Sequence, residues 1–154
     1  MAVVTTSGSS AEDRLARRQA LTFARLAELR EGVWLRPDNV DVHLDPAVDS
    51  RLAVFTARPS GDPVDLAARL WDLEGWERRA QELARSLDQL SPEGPADLAP
   101  GFELSASVLR HLQLDPLLPT ELLPATWPGE RLRRRYDQWD AGYRRVLAQW
   151  GRST

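Results

Sequence analysis

Four arginines in five residues, Arg131, Arg133, Arg134 and Arg135, are the densest charge in this 154-residue chain. Guanidinium groups at that spacing could neutralise phosphates. Glu130, Asp137 and Asp140 flank them on the same predicted helix, Glu130 and Asp137 three or four positions from Arg133 and Arg134 and so within ion-pair reach. A solvated, internally paired helix face is therefore a simpler reading than a nucleic-acid contact. Arg36 and Arg110 interrupt apolar surroundings and could each meet an anion or a buried carboxylate. With Trp34, Asn39 and Asp115 they form the candidate set for binding a small molecule. A structural ion pair between Arg110 and Asp115 is the plainer alternative.

No catalytic residue is assigned. The two histidines, His43 and His111, have no second donor at useful spacing, and a metal site needs three or four convergent ligands. Cysteine is absent, which removes disulfides, thiolate metal sites and thiol nucleophiles. No glycine-rich phosphate loop is present. Ser7, Ser9 and Ser10 fit helix capping, and none sits in a nucleophile elbow. Paired carboxylates such as Glu12/Asp13 and Asp137/Asp140 fall on predicted helix surfaces and read as solvated charge. The expectation is a non-enzyme without cofactor or metal.

The elements that would position these residues fall into two parts. Residues 2–6 read as a short strand, and Ser9 with Glu12 makes a capping box for a helix running to about Leu29. Its apolar stripe is Leu15, Gln19, Thr22/Phe23, Leu26 and Leu29. Residues 33–35 and 52–56 read as strands, and residues 40–44 are a candidate fourth strand, although out of order. Asp62 caps the next helix, with Pro63 at its first position. Trp76, Ala80, Leu83, Leu87 and Leu90 then step along one amphipathic face. Residues 91–101 carry three prolines and two glycines, a linker composition. Beyond it the chain reads as helical. Phe102, Ala106, Leu109 and Leu112 share one face, and Leu132, Tyr136, Trp139, Tyr143, Val146/Leu147 and Trp150 share another. Six tryptophans point to packed interfaces rather than to a cofactor box. The order strand, helix, strand, strand, helix is most of a ferredoxin-like split unit. The expected fold class is thus α+β: a ferredoxin-like domain over residues 1–90, a linker over 91–101, and a small helical domain over 102–154.

Residues 109–129, LRHLQLDPLLPTELLPATWPG, set four prolines in a leucine-rich run. A flexible linker would not hold so many large apolar side chains, and no regular helix would hold so many prolines. The reading is an apolar strap pressed onto a core, with Trp127, Pro128 and Gly129 as its closing turn. The DPLLPTELLPATWPG run resembles the C-terminal region of PaaX-type transcriptional regulators, the bacterial repressors of phenylacetate catabolism. The GVWLRP run at 32–37 and Trp71-Asp72-Leu73 agree in order, so the resemblance covers about residues 2–150. It implies a ferredoxin-like middle domain, a homodimer, and an aryl-acyl-CoA effector whose phosphates the arginine run could hold. Such proteins usually begin with a winged helix-turn-helix that holds DNA, and nothing here matches it, so DNA binding would depend on a domain absent from this chain. The nucleases of CRISPR adaptation share the ferredoxin-like core but place an aspartate after the first strand; here Thr5, Thr6, Ser7 and Gly8 follow it.

The net charge of −3 and pI near 5.4 argue against a surface built mainly for nucleic acid. No apolar run approaches the ~20 residues that span a bilayer. The start MAVVTTSGSS lacks a signal-peptide pattern, so the cytoplasm is expected. Every basic residue is arginine, a usage that hints at a GC-rich bacterial genome. Met1 directly precedes the first expected strand, which raises the expectation of a longer natural amino terminus. The functional expectation is a regulator module for dimerisation and effector sensing. The alternative is a ligand-free dimerisation partner.

Overall fold

The computed structural model describes residues 2–4, 10–41, 43, 46–50 and 52–153. The chain divides into two compact units, one of Met1–Asp72 with Pro116–Pro124, the other of Leu73–Asp115 with Ala125–Thr154. The division expected at residues 91–101 is thereby displaced to Asp72, because the helix before that segment buries its apolar stripe among the C-terminal helices. The segment itself is ordered. It holds a 3-10 turn at Pro95–Asp97 and the start of a helix at Leu98. Asp97 accepts from the Glu93 and Gly94 amides at 2.9 and 3.0 Å, which lower its pKa.

The first unit contains β1 (Ala2–Val4), α1 (Ala11–Phe23), β2 (Ala27–Arg30), β3 (Val33–Leu35), the single turn α2 (Pro46–Asp49), β4 (Leu52–Val54) and α3 (Pro63–Leu70). Its sheet has the order β2-β3-β1-β4, with every neighbouring pair antiparallel. Ala2 faces Trp34 on one side and Val54 on the other. The β2–β3 hairpin turns at Gly32, whose φ of 76° suits a residue without Cβ. The remaining strand is therefore β2, and none of Val40, Asp41 and His43 is in a strand; Val42 and Leu44 lie outside the described residues.

Helix α1 differs from expectation at three points. Its capping box is Ser10 with Asp13, the Asp13 amide donating to Ser10 Oγ at 3.0 Å; Ser9 lies outside the described residues. It stops at Phe23 rather than Leu29. Arg25 adopts φ 67°, its amide donates to Thr22 O, and the Leu26 amide reaches back to Leu21 O at 3.0 Å. That is a Schellman closure with arginine where glycine is usual, so the stop carried no glycine signal. Its buried face is Arg17 and Leu21, while Leu15 and Phe23 from the expected stripe are exposed. Leu21, Leu26 and Trp34 make the small core of this unit, with Ala24, Val48 and Leu52 around it. Helix α3 begins as expected: Pro63 is at its first position, and Asp62 Oδ1 accepts from the Val64 amide at 2.7 Å. Within the strap Leu118 is buried, and a 3-10 turn at Thr120–Leu122 packs against α3.

The second unit is three helices: α4 (Leu73–Gln89), α5 (Leu98–Gln113) and α6 (Gly129–Ser153). The predicted α4 face of Trp76, Ala80, Leu83 and Leu87 is buried, and Leu90 packs at its edge. On α6, Leu132, Tyr136, Trp139, Tyr143 and Val146 are buried; Leu147 and Trp150 are exposed. Each buried aromatic ring on this stripe has its polar tip satisfied, as burial of such side chains requires. Tyr136 Oη meets Ser105 Oγ at 2.7 Å, Trp139 Nε1 donates to Leu90 O, and Tyr143 Oη donates to Leu98 O at 2.9 Å. Helix α5 is rotated from its expected face. Gly101, Val108 and His111 point inward, whereas Phe102 and Leu109 face outward. Gly101 explains the rotation, because a Cβ there would lie 2.5 Å from Tyr143 Cε2.

Candidate ligand-binding site

The five candidate ligand contacts divide between the two units. In the first, Trp34 is buried in the small core. Arg36 donates to Ala24 O and Pro37 O, both at 3.0 Å, and to Asn39 Oδ1 at 3.3 Å. It thus satisfies a carbonyl at the carboxyl end of α1, where a cation is favoured. Burial, and then the nearby Arg25, lower its pKa. Asn39 Nδ2 donates to Leu117 O at 2.8 Å, fastening a residue of the strap that has φ 53°. Arg36 and Asn39 are therefore brought together.

Arg110 and Asp115, in the second unit, are not paired with each other. Arg110 is exposed on α5. Asp115, with 2% of its side chain accessible, pairs with Arg133. Around that pair the proline-tryptophan motif forms a close-packed knot. Trp127 stacks on Trp76, and Trp76 stacks on His111, with ring centroids 4.4 Å apart in both pairs. Trp76 Nε1 donates to His111 O at 3.3 Å, and His111 Nε2 donates to Trp76 O at 3.1 Å. Burial lowers the His111 pKa, with the Trp76 carbonyl opposing. A Cβ on Gly129 would fall 2.7 Å from Trp127 Nε1 and 3.0 Å from Asp115 Oδ2, so only glycine fits unstrained.

The arginine run splits around the helix. Arg133 turns to Asp115, while Arg131, Arg134 and Arg135 line an open groove of about 570 Å³ on α4 and α6. Leu87, Asp88, Ser91, Gln138 and Trp139 complete it. Arg135 Nε donates to Asp88 Oδ1 at 2.6 Å, and Arg134 pairs with Glu130 at 2.9 Å along the helix. Arg131 has no ion pair among the described residues. The expected pairing of this face is thus partial. Asp140 serves Arg144 instead. The i, i+3/i+4, i+7 spacing of Arg131, Arg134/Arg135 and Gln138 was the sequence signal for a polar ridge beside the buried stripe. The α4 side of the groove had none.

Among the described residues no three His, Asp or Glu side chains converge as metal ligands, and no helix is long and apolar enough to cross a membrane. No curated protein matches the chain. The solved structure of an uncharacterized protein, Rv0674 from Mycobacterium tuberculosis, is similar at 41% identity with a TM-score of 0.82. The likeness covers 96% of this chain and 61% of that one, so the chain spans about three-fifths of the length of this relative. Residues 71–152, which carry the knot and the groove, match the PaaX-like protein C-terminal domain. The chain belongs to the PaaX-like family.

Proposed function

We propose that this chain is the regulatory module of a PaaX-like transcriptional regulator, a homodimer that senses an aryl-acyl-CoA and controls genes of aromatic-acid catabolism in the bacterial cytoplasm. The observation that carries this reading is the match of the helical unit to the PaaX-like C-terminal domain. The signature residues in that unit have an architectural use: Trp127, Gly129 and Asp115 are consumed by the knot, leaving the neighbouring groove for a ligand. A ferredoxin-like reading of the first unit draws support from its antiparallel order β2-β3-β1-β4, in which α2 is reduced to one turn. DNA contact would come from a winged-helix domain outside these residues. No catalytic role is assigned to any side chain.

Calorimetry of the chain with a series of aryl-acyl-CoA esters tests the sensing role. Saturable heat with one site per chain is expected for at least one ester. No heat across the series would leave the second reading, a dimerisation partner without a ligand. That reading has its own support in the outward-facing Phe102 and Leu109, two turns apart on α5, which are 68% and 45% exposed. Light scattering at several concentrations reads the dimer in either case.

A further inference from the structure

We propose that the Arg131/Arg134/Arg135 groove binds the diphosphate group of a small phosphorylated ligand. This deepens the sensing reading and rests on it only for the identity of the remainder of the ligand. Three guanidinium groups line the groove against a single carboxylate, Asp88, so its lining is cationic in a chain whose net charge is −3. Arg135 is held by Asp88 and is positioned before any ligand arrives. Arg131 has no ion pair among the described residues, and the partner of Arg134, Glu130, is 80% exposed. An exposed pair within one helix turn is worth little, so both arginines can turn to an incoming anion at small cost.

The donor set suits phosphoryl oxygens. Arginine presents a planar fork of N–H donors that meets phosphate with two parallel bonds, and the i, i+3, i+4 spacing brings three such forks to one side of the helix. Gln138 and Ser91 add neutral donors. Leu87 and Trp139, both buried in the helical core, close the floor of the groove. A volume of about 570 Å³ lies in the range of small-molecule sites, roughly 300–1,000 Å³. A duplex, with a charge about every 1.7 Å, needs a longer cationic track. Here the track is interrupted by Glu130, Asp137 and Asp140 on α6 itself. The geometry therefore favours a compact anion over a polymer.

The probe is inorganic pyrophosphate, titrated into the full chain at low salt and followed by calorimetry and tryptophan emission. Saturable binding is expected. The double variant Arg131→Gln/Arg134→Gln should weaken it at least tenfold while its circular dichroism and urea midpoint stay at wild-type values. Arg78→Gln, on the exposed face of α4 outside the groove, should leave affinity unchanged. Absent binding, or equal weakening by Arg78→Gln, overturns the site. Competition then distinguishes the source of the diphosphate. Displacement of pyrophosphate by an aryl-acyl-CoA supports site and sensing reading together. Displacement by ADP but by no acyl-CoA keeps the site and removes the sensing reading. Displacement by a duplex oligonucleotide at lower concentration than either makes the groove a nucleic-acid contact and overturns the proposal.

Discussion

Arg133 and Arg135 stand two residues apart on α6, and each meets an aspartate from another segment, yet the two pairs sit in opposite surroundings. Two residues turn a helix by about 200°, so the side chains leave on opposite faces. Arg133 goes to Asp115, which is 2% exposed, beside the Trp127–Trp76–His111 stack. Arg135 goes to Asp88, 49% exposed, at the wall of the open groove. The same ion-pair chemistry is structural in one place and available in the other. What separates them is solvent: a buried carboxylate must keep its partner, whereas a half-exposed one can share an arginine with a ligand.

The sharpest way to break this contrast is to remove the arginine from the buried side. Arg133→Met leaves the Asp115 carboxylate in place without that cation, and a loss of about 3 kcal/mol in urea unfolding is expected. A loss under ~1 kcal/mol would mean that water reaches Asp115 and that the two pairs do not differ. Gly129→Ala attacks the same knot sterically. Its Cβ must push Trp127 or Asp115 away, which should cost about 1–3 kcal/mol, read as a lower urea midpoint and altered tryptophan emission.

The closing turn at Trp127, Pro128 and Gly129 and the aromatic stripe of α6 were legible in the sequence, because they obey local rules of turn and period, whereas the stack of Trp127 on Trp76 and His111 was not. Helices α3, α4 and α6 were legible for the same reason: an Asp62 cap followed by Pro63 at the first helical position, and apolar side chains recurring every three or four residues. Where the signal was not local, it failed. The end of α1 rests on Arg25 in a left-handed conformation that nothing in an arginine announces. Strand β2 has the sequence Ala-Glu-Leu-Arg, without a β-branched residue, and is made a strand by pairing with β3. The outward turn of Phe102 follows from the close approach of Tyr143 to Gly101. The partners of Arg133 and Arg135 lie 18 and 47 residues away, so no helix-spacing rule could assign them. The groove was half legible: its α6 ridge follows helical spacing, but Leu87, Asp88 and Ser91 become part of it only through tertiary packing.

A milder test of the knot is pH. His111 is buried with its pKa lowered from 6.5, chiefly by desolvation, so the folded state binds its proton less readily than the unfolded chain. Stability from this residue is therefore complete above pH 6.5 and declines as pH falls through the lowered folded value. Urea midpoints between about pH 8 and 5 should drop for the wild type, and less so for His111→Gln. Equal slopes would place the titrating group elsewhere and remove His111 from the energetics of the stack.

The smallest stability effect is expected at the other member of the pair. Arg135→Ala removes an ion pair whose carboxylate is about half exposed, and the loss should stay under ~1 kcal/mol. If the groove holds a diphosphate, the same substitution weakens pyrophosphate binding, because one of three guanidinium groups is gone while Asp88 remains to repel the anion. Asp88→Asn then separates two roles for that carboxylate. Should its main effect be to reduce the local positive charge, Asp88→Asn tightens pyrophosphate binding. Should its main effect be to hold Arg135 in place, binding weakens although the groove has become more cationic. Either direction, measured beside the large loss in Arg133→Met, shows whether an aspartate on the open face of α6 acts as a counter-charge or as a positioning group.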